Sequence, residues 1–171
     1  MSLLNLFKEH TQGFNPATDT ASSSSEIPAG EYDVVVDKAG YRCYESGYDA
    51  IAITARVVTG EQVDRQELIN INVDPDYPVN SQYPGLYKQN LQLINQFIYV
   101  TDTELTEDDW EDQMTLGAAF TRQAIGKQFL LDITETTSKK GKTYRNYKFT
   151  KYDEDTLTQN DIDLTEDDIP F

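Results

Sequence analysis

From Tyr32 onward apolar and polar side chains alternate: Tyr32, Val34 and Val36 fall on one face and Asp33, Val35 and Asp37 on the other. A period of two after the turn signal Ile27-Pro28-Ala29-Gly30 predicts a first strand. Gly40 to Gly47, rich in tyrosine, reads as a loop. Ile51, Ile53, Ala55 and Val57 then alternate as a second strand, and Leu68, Ile69, Ile71 and Val73 mark a third over Glu67 to Val73. Past Pro75, Pro78 and Pro84 the period changes. Leu86, Asn90, Leu93, Ile94 and Phe97 recur at helical spacing, which predicts a helix from Pro84 to about Tyr99, with the proline at its start. Thr106, followed three residues later by Asp109, has the form of an N-cap with an acidic first turn, and opens a second helical stretch from Glu107 towards Ile125 that Gly117 weakens. Alternation returns at Phe129, Leu131 and Ile133. The segment Ser138-Lys139-Lys140-Gly141-Lys142 is a turn, and Tyr144 to Tyr152 completes a hairpin.

The pattern gives a mainly β fold of five strands, with a helical insertion over about 84–125 between the third and the fourth. That is the count and order of the five-stranded Greek-key barrel called the OB-fold; a jelly-roll fragment or a small open sandwich would give similar strings. The inserted helices either cover a sheet edge or build a homodimer interface. Residues 1–25 end in Ala21 and four serines, Ser22 to Ser25, a composition that buries little and reads as a flexible leader. The ordered domain is expected over 26–152, and 153–171 forms an acidic, disordered tail.

At 171 residues the chain holds one domain with a core plus its ends. Eleven tyrosines and seven phenylalanines are more rings than a wholly disordered acidic chain would carry. Cys43 and His10 are the only residues of their kinds, so an internal disulfide is excluded, and four-ligand zinc sites and histidine-based triads lose their donors. Neither a metal nor any other cofactor is expected, and no catalysis is implied. The early apolar run Leu3 to Phe7, interrupted by Asn5, is neither a secretion signal nor a membrane span, so a soluble, cytoplasmic chain is expected.

The net charge of -16 is unevenly spread. Thr136 to Tyr152 carries Lys139, Lys140, Lys142, Arg145, Lys148 and Lys151 and no acid, whereas Asp153 onward carries Asp153, Glu154, Asp155, Asp161, Asp163, Glu166, Asp167 and Asp168 and no base. Such a switch marks a basic working surface followed by a solvated acidic tail.

The tail closes on Glu166-Asp167-Asp168-Ile169-Pro170-Phe171, which resembles the acidic tails of bacterial single-stranded DNA-binding proteins. A Phe with its carboxylate suits a pocket beside an Arg or Lys, and Pro170 stiffens the tip and lowers the cost of ordering it. Ile27-Pro28-Ala29-Gly30-Glu31-Tyr32, Ile125-Gly126-Lys127-Gln128-Phe129 and the hairpin with Gly141-Lys142 and Tyr144 resemble phage-encoded single-stranded DNA-binding proteins of the OB-fold kind over about 26–152. The long connector Asp74 to Gln123 departs from that pattern. The resemblance implies sequence-independent binding of single-stranded DNA in phage replication or recombination. It also implies host-cytoplasmic location and recruitment of replication, recombination or repair proteins by Asp167, Asp168, Ile169, Pro170 and Phe171.

Candidate DNA-binding residues in the hairpin are Lys139, Lys140, Lys142, Tyr144, Arg145, Tyr147, Lys148 and Lys151, where rings for bases, worth about 1–3 kcal/mol each, interleave with cations for phosphates. Strand alternation places Arg145, Tyr147, Phe149 and Lys151 on one face and Tyr144, Lys148 and Tyr152 on the other, and one of these faces must supply core. Tyr41, Arg42, Tyr44 and Tyr48 in the first loop could continue the groove or cap the barrel end. Tyr77, Tyr83, Tyr87 and Lys88 are weaker candidates. Two rival readings remain: an acidic interaction protein that competes for tail-binding pockets without touching DNA, and a metal-dependent nuclease built on Asp74 and Asp76.

Overall fold

The computed structural model describes residues 2–13, 15–17 and 27–152. Strands β1 (Gly30–Cys43), β2 (Asp49–Val57), β3 (Gln66–Ile71), β4 (Gln128–Thr137) and β5 (Thr143–Thr150) form one antiparallel sheet in the order β3-β2-β1-β4-β5. The helices are α1 (Leu3–Thr11), α2 (Pro78–Gln82), α3 (Pro84–Val100) and α4 (Gln113–Gln123), with a short 3-10 turn at Glu107–Trp110. The mainly β class, the five strands and the helical insertion between the third and fourth are as the sequence predicts.

β1 is longer than its alternation indicated, because a β-bulge inverts its phase. Val34 faces Val57 and Val36 faces Ala55; Asp37 is then extra, so that Ala39 faces Ile53 and Tyr41 faces Ile51. The inward face therefore passes from even to odd positions, which a strict period of two cannot follow. The bulged Asp37 carboxylate accepts hydrogen bonds from Arg56 Nε (3.1 Å) and Gln66 Nε2 (2.8 Å). The loop expected over Gly40 to Gly47 shrinks to the turn after Cys43, and Tyr41 and Arg42 are strand residues.

Gly30 to Val35 of β1 pair with β4, and from Val36 onward, among the described residues, only β2 continues as a partner strand. α4 packs against β1 beyond that point: the Thr121 hydroxyl lies 2.7 Å from the Ala39 carbonyl oxygen. The approach is close enough that Gly40 and Gly117 have no room for a Cβ. Beneath the sheet, Phe97 of α3 meets Phe120, Phe129 and Phe149 edge-on at 4.9, 6.3 and 5.8 Å. Such pairs add about 0.5–1.5 kcal/mol each beyond burial.

The ladder does not close into the expected barrel; β3 and β5 are the two edges of an open sheet. Side chains and a helix tie the edges instead. Glu67 of β3, 5 % exposed, accepts from Arg145 Nε (3.0 Å) and Tyr147 OH (2.7 Å) of β5. Arg145 also donates to Glu135 and to the Ile27 carbonyl, both at 2.9 Å, and Gln96 of α3 accepts the Phe149 N–H at 3.0 Å.

The stretch predicted as one helix from Glu107 is broken in two. Asp109 accepts from the Thr106 N–H (2.9 Å) in the 3-10 turn, and Asp112 then caps α4 by accepting from the Thr115 N–H at 2.8 Å. Within the segment read as leader, α1 forms with Ser2 Oγ capping the Asn5 N–H, and it exposes Leu3, Leu4 and Phe7. Among the described residues no helix is long and apolar enough to cross a membrane.

Candidate nucleic-acid interface

The β4–β5 turn closes through Ser138 O, which accepts the Gly141 N–H at 2.9 Å, and Gly141 takes the positive φ of +81° that the tight return requires. Lys139 and Lys140 stand exposed at this tip. Along β5 the two faces separate as alternation requires. Phe149 is buried opposite Leu131, and Tyr147 and Arg145 share its side, engaged with Glu67. Tyr144 and Lys148 point out; Tyr144 is half exposed, with Lys142 Nζ 5.3 Å from its ring centre. Lys151 is held by Asp102 at 2.7 Å and lies over the Tyr99 ring. Of the predicted hairpin set, the outward group is thus Lys139, Lys140, Lys142, Tyr144 and Lys148, while Arg145 and Tyr147 knit the sheet edges together.

The β1–β2 turn gathers a second set of rings. Tyr44 stacks on Tyr48 with centroids 5.9 Å apart, Tyr48 meets Tyr77 edge-on at 5.6 Å, and the Arg42 guanidinium sits 4.7 Å from the Tyr44 ring centre. Tyr41, on the opposite face of the strand, turns away from them. Its hydroxyl donates to Asp49 at 2.8 Å, and that hydrogen bond to a carboxylate pushes its pKa up to about 12.

A groove of about 540 Å³ runs between α3 and β5 and takes in Tyr144 and Lys148 of the hairpin set. Amides line much of it: Asn70 from β3, Gln89, Gln92 and Gln96 from α3, and Asn146 from β5, with Tyr144 and Lys148 beside them. Tyr44 OH donates to Asn70 Oδ1 at 2.7 Å, which connects the stacked tyrosines to this groove. Tyr144 is shared with a neighbouring cleft that Tyr83 and Lys142 line. The surface thus offers ring faces, uncharged amide donors and acceptors, and exposed lysines, the three kinds of contact that bases, sugars and phosphates take. Sequence reasoning missed the amides, whose signal was Gln89, Gln92 and Gln96 at helical spacing on one side of α3, and ranked Tyr77 and Tyr83 low.

Of the residues in the rival nuclease reading, Asp74 Oδ1 accepts the Asp76 N–H at 2.9 Å, closing a turn. The tail residues Asp167, Asp168, Ile169, Pro170 and Phe171 lie outside the described residues.

No curated protein matches the chain. A family model does: the one described as "Protein of unknown function (DUF669)" covers residues 14–158. That match takes in every strand, the whole amide-lined groove and both tyrosine sets, and the chain belongs to the DUF669 family.

Proposed function

We propose that this protein binds single-stranded DNA without sequence preference along the groove between the β1–β2 turn and the β4–β5 hairpin, acts in phage replication or recombination, and recruits partner proteins through its acidic tail. The observation that carries the reading is the continuity of Tyr44 and Tyr48 with Asn70, Tyr144 and Lys148 across one surface. The strand order supports it. An OB-fold opened between its third and fifth strands has this order, and the corresponding loops and strand faces are where such folds hold oligonucleotides. The protein acts here as a binder and not as an enzyme.

Titration of fluorescent single-stranded and duplex oligonucleotides at several salt concentrations tests the reading. With three to five phosphates neutralised, the logarithmic salt slope is expected at about -2 to -3.5, and single strands should bind well ahead of duplex. Lys142→Ala with Lys148→Ala should flatten the slope by about 1.4. Tyr44→Ala and Tyr144→Ala should each lose about 1–3 kcal/mol of affinity with the fold intact. Deleting 153–171 should raise affinity at low salt by removing a tethered polyanion from the neighbourhood of the groove. Equal affinity for duplex would overturn the strand-selective reading. Absence of any salt-sensitive binding would leave the interaction-protein reading in its place.

A further inference from the structure

We propose that a pocket on the other flank of α3 is a docking site for a peptide segment of another protein, one that presents an apolar anchor between arginines or lysines. The pocket has a volume of about 560 Å³ and combines two features that rarely share a surface without a partner. Its apolar side exposes Trp110 (50 %), Met114 (59 %) and Leu91 (39 %). Its polar side carries Asp49, Asp74, Asp76, Glu111 and Asp112, and among the described residues no lysine or arginine lines it. Among the described residues none of these five carboxylates is in an ion pair.

Three of them have structural work. Asp49 accepts from Tyr41 and Gln113, Asp74 closes its turn, and Asp112 caps α4. The side chains of Asp76 and Glu111 make no hydrogen bond within the described residues, so their charges are available to a ligand.

Charge complementarity selects the occupant. Nucleic acid and the chain's own acidic 153–171 segment are repelled by this surface, and α1 of a second copy brings Lys8 accompanied by Glu9. A basic segment with an apolar anchor meets both features at once. The site is separate from the proposed DNA groove: Tyr87 and Leu91 of α3 face the pocket, and Gln89, Gln92 and Gln96 face the groove. The inference therefore stands or falls independently of DNA binding.

Trp110 is the chain's single tryptophan, so its fluorescence reads this pocket directly. The full chain is titrated with a short synthetic peptide carrying a central Leu-Phe pair flanked by arginines. The expected result is a saturable blue shift of Trp110 emission at micromolar peptide. Asp76→Asn combined with Glu111→Gln, both exposed, should weaken binding about ten-fold at low salt while leaving Tm unchanged. Met114→Ser should weaken it at high salt as well. A peptide with Ser-Ser in place of Leu-Phe should bind far more weakly. The proposal is overturned by an unshifted Trp110 at about 1 mM peptide, by equal binding of the Ser-Ser peptide, or by unchanged affinity of the double variant.

Discussion

Replacing Arg145 with alanine is expected to remove about 3 kcal/mol of stability, one of the largest effects of any single polar substitution in this chain. The side chain is 13 % exposed and its ion-pair partner Glu67 is 5 % exposed, so truncation strands a buried carboxylate whose remaining close donor is Tyr147 OH. It also frees the two sheet edges that the pair holds together. Urea denaturation of Arg145→Ala beside Glu67→Leu with Arg145→Leu separates the two costs. If the double variant recovers most of the loss, the stranded charge dominates; if it does not, the tie between the edges does. Tyr144→Ala, on the outward face, should stay within about 0.5 kcal/mol of the parent. Equal destabilisation by Tyr144→Ala and Arg145→Ala would contradict the assignment of faces.

The same cluster sets an alkaline limit. Burial first, and then the Glu67 carboxylate that accepts its hydrogen bond, raise the Tyr147 hydroxyl above its ordinary value. Folding therefore favours the protonated form. That contribution is complete below about pH 10, where unfolded tyrosine ionises, and is lost as the pH rises beyond it. Tyr147→Phe should flatten the decline.

The second large effect is expected at Gly117. A Cβ there would stand 2.4 Å from the Tyr41 backbone nitrogen and 2.8 Å from Tyr41 Cβ, atoms that cannot swing aside, so α4 would have to lift from β1. Alanine gains about 1 kcal/mol of helix propensity, but the overpacking should exceed it and leave a net loss of about 2 kcal/mol. Gly85 in α3 is the control, since nothing lies within 4 Å of its added Cβ and alanine there should be neutral or stabilising by up to about 1 kcal/mol. If Gly117→Ala melts at or above the parent temperature, the close approach is not what requires glycine.

β2, β4, β5 and α3 were legible because each keeps one period from end to end. β1 was legible only as far as Asp37. One unpaired residue there reversed the face of everything after it, and with it the reading of Tyr41 as a loop residue among the DNA candidates. The break between the 3-10 turn and α4 was hidden because Asp112 looks, in sequence, like one more acid in a run. At the site, alternation divided β5 correctly into two faces, but choosing the outward one needed Glu67, which lies 78 residues from Arg145 along the chain. The amide groove left no hydrophobic or charge signature, since asparagine and glutamine alter neither pattern. The barrel was overread because strand count and order do not reveal whether the first and last edges meet.

An open sheet of five strands would ordinarily offer its unpaired backbone as a template to other chains, the starting point of strand exchange and fibril growth. Here part of that hazard is screened, on β5 and on the stretch of β1 that β4 leaves without a partner strand. Thr121 of α4 occupies the Ala39 carbonyl where β4 leaves β1, and Gln96 of α3 occupies the Phe149 N–H on β5. A foreign strand would first have to peel a helix away together with the phenylalanines that helix shares with the core. Resistance to self-assembly in this fold is therefore tied to the docking of α3 and α4, so conditions that loosen those helices should bring on aggregation before the sheet itself melts.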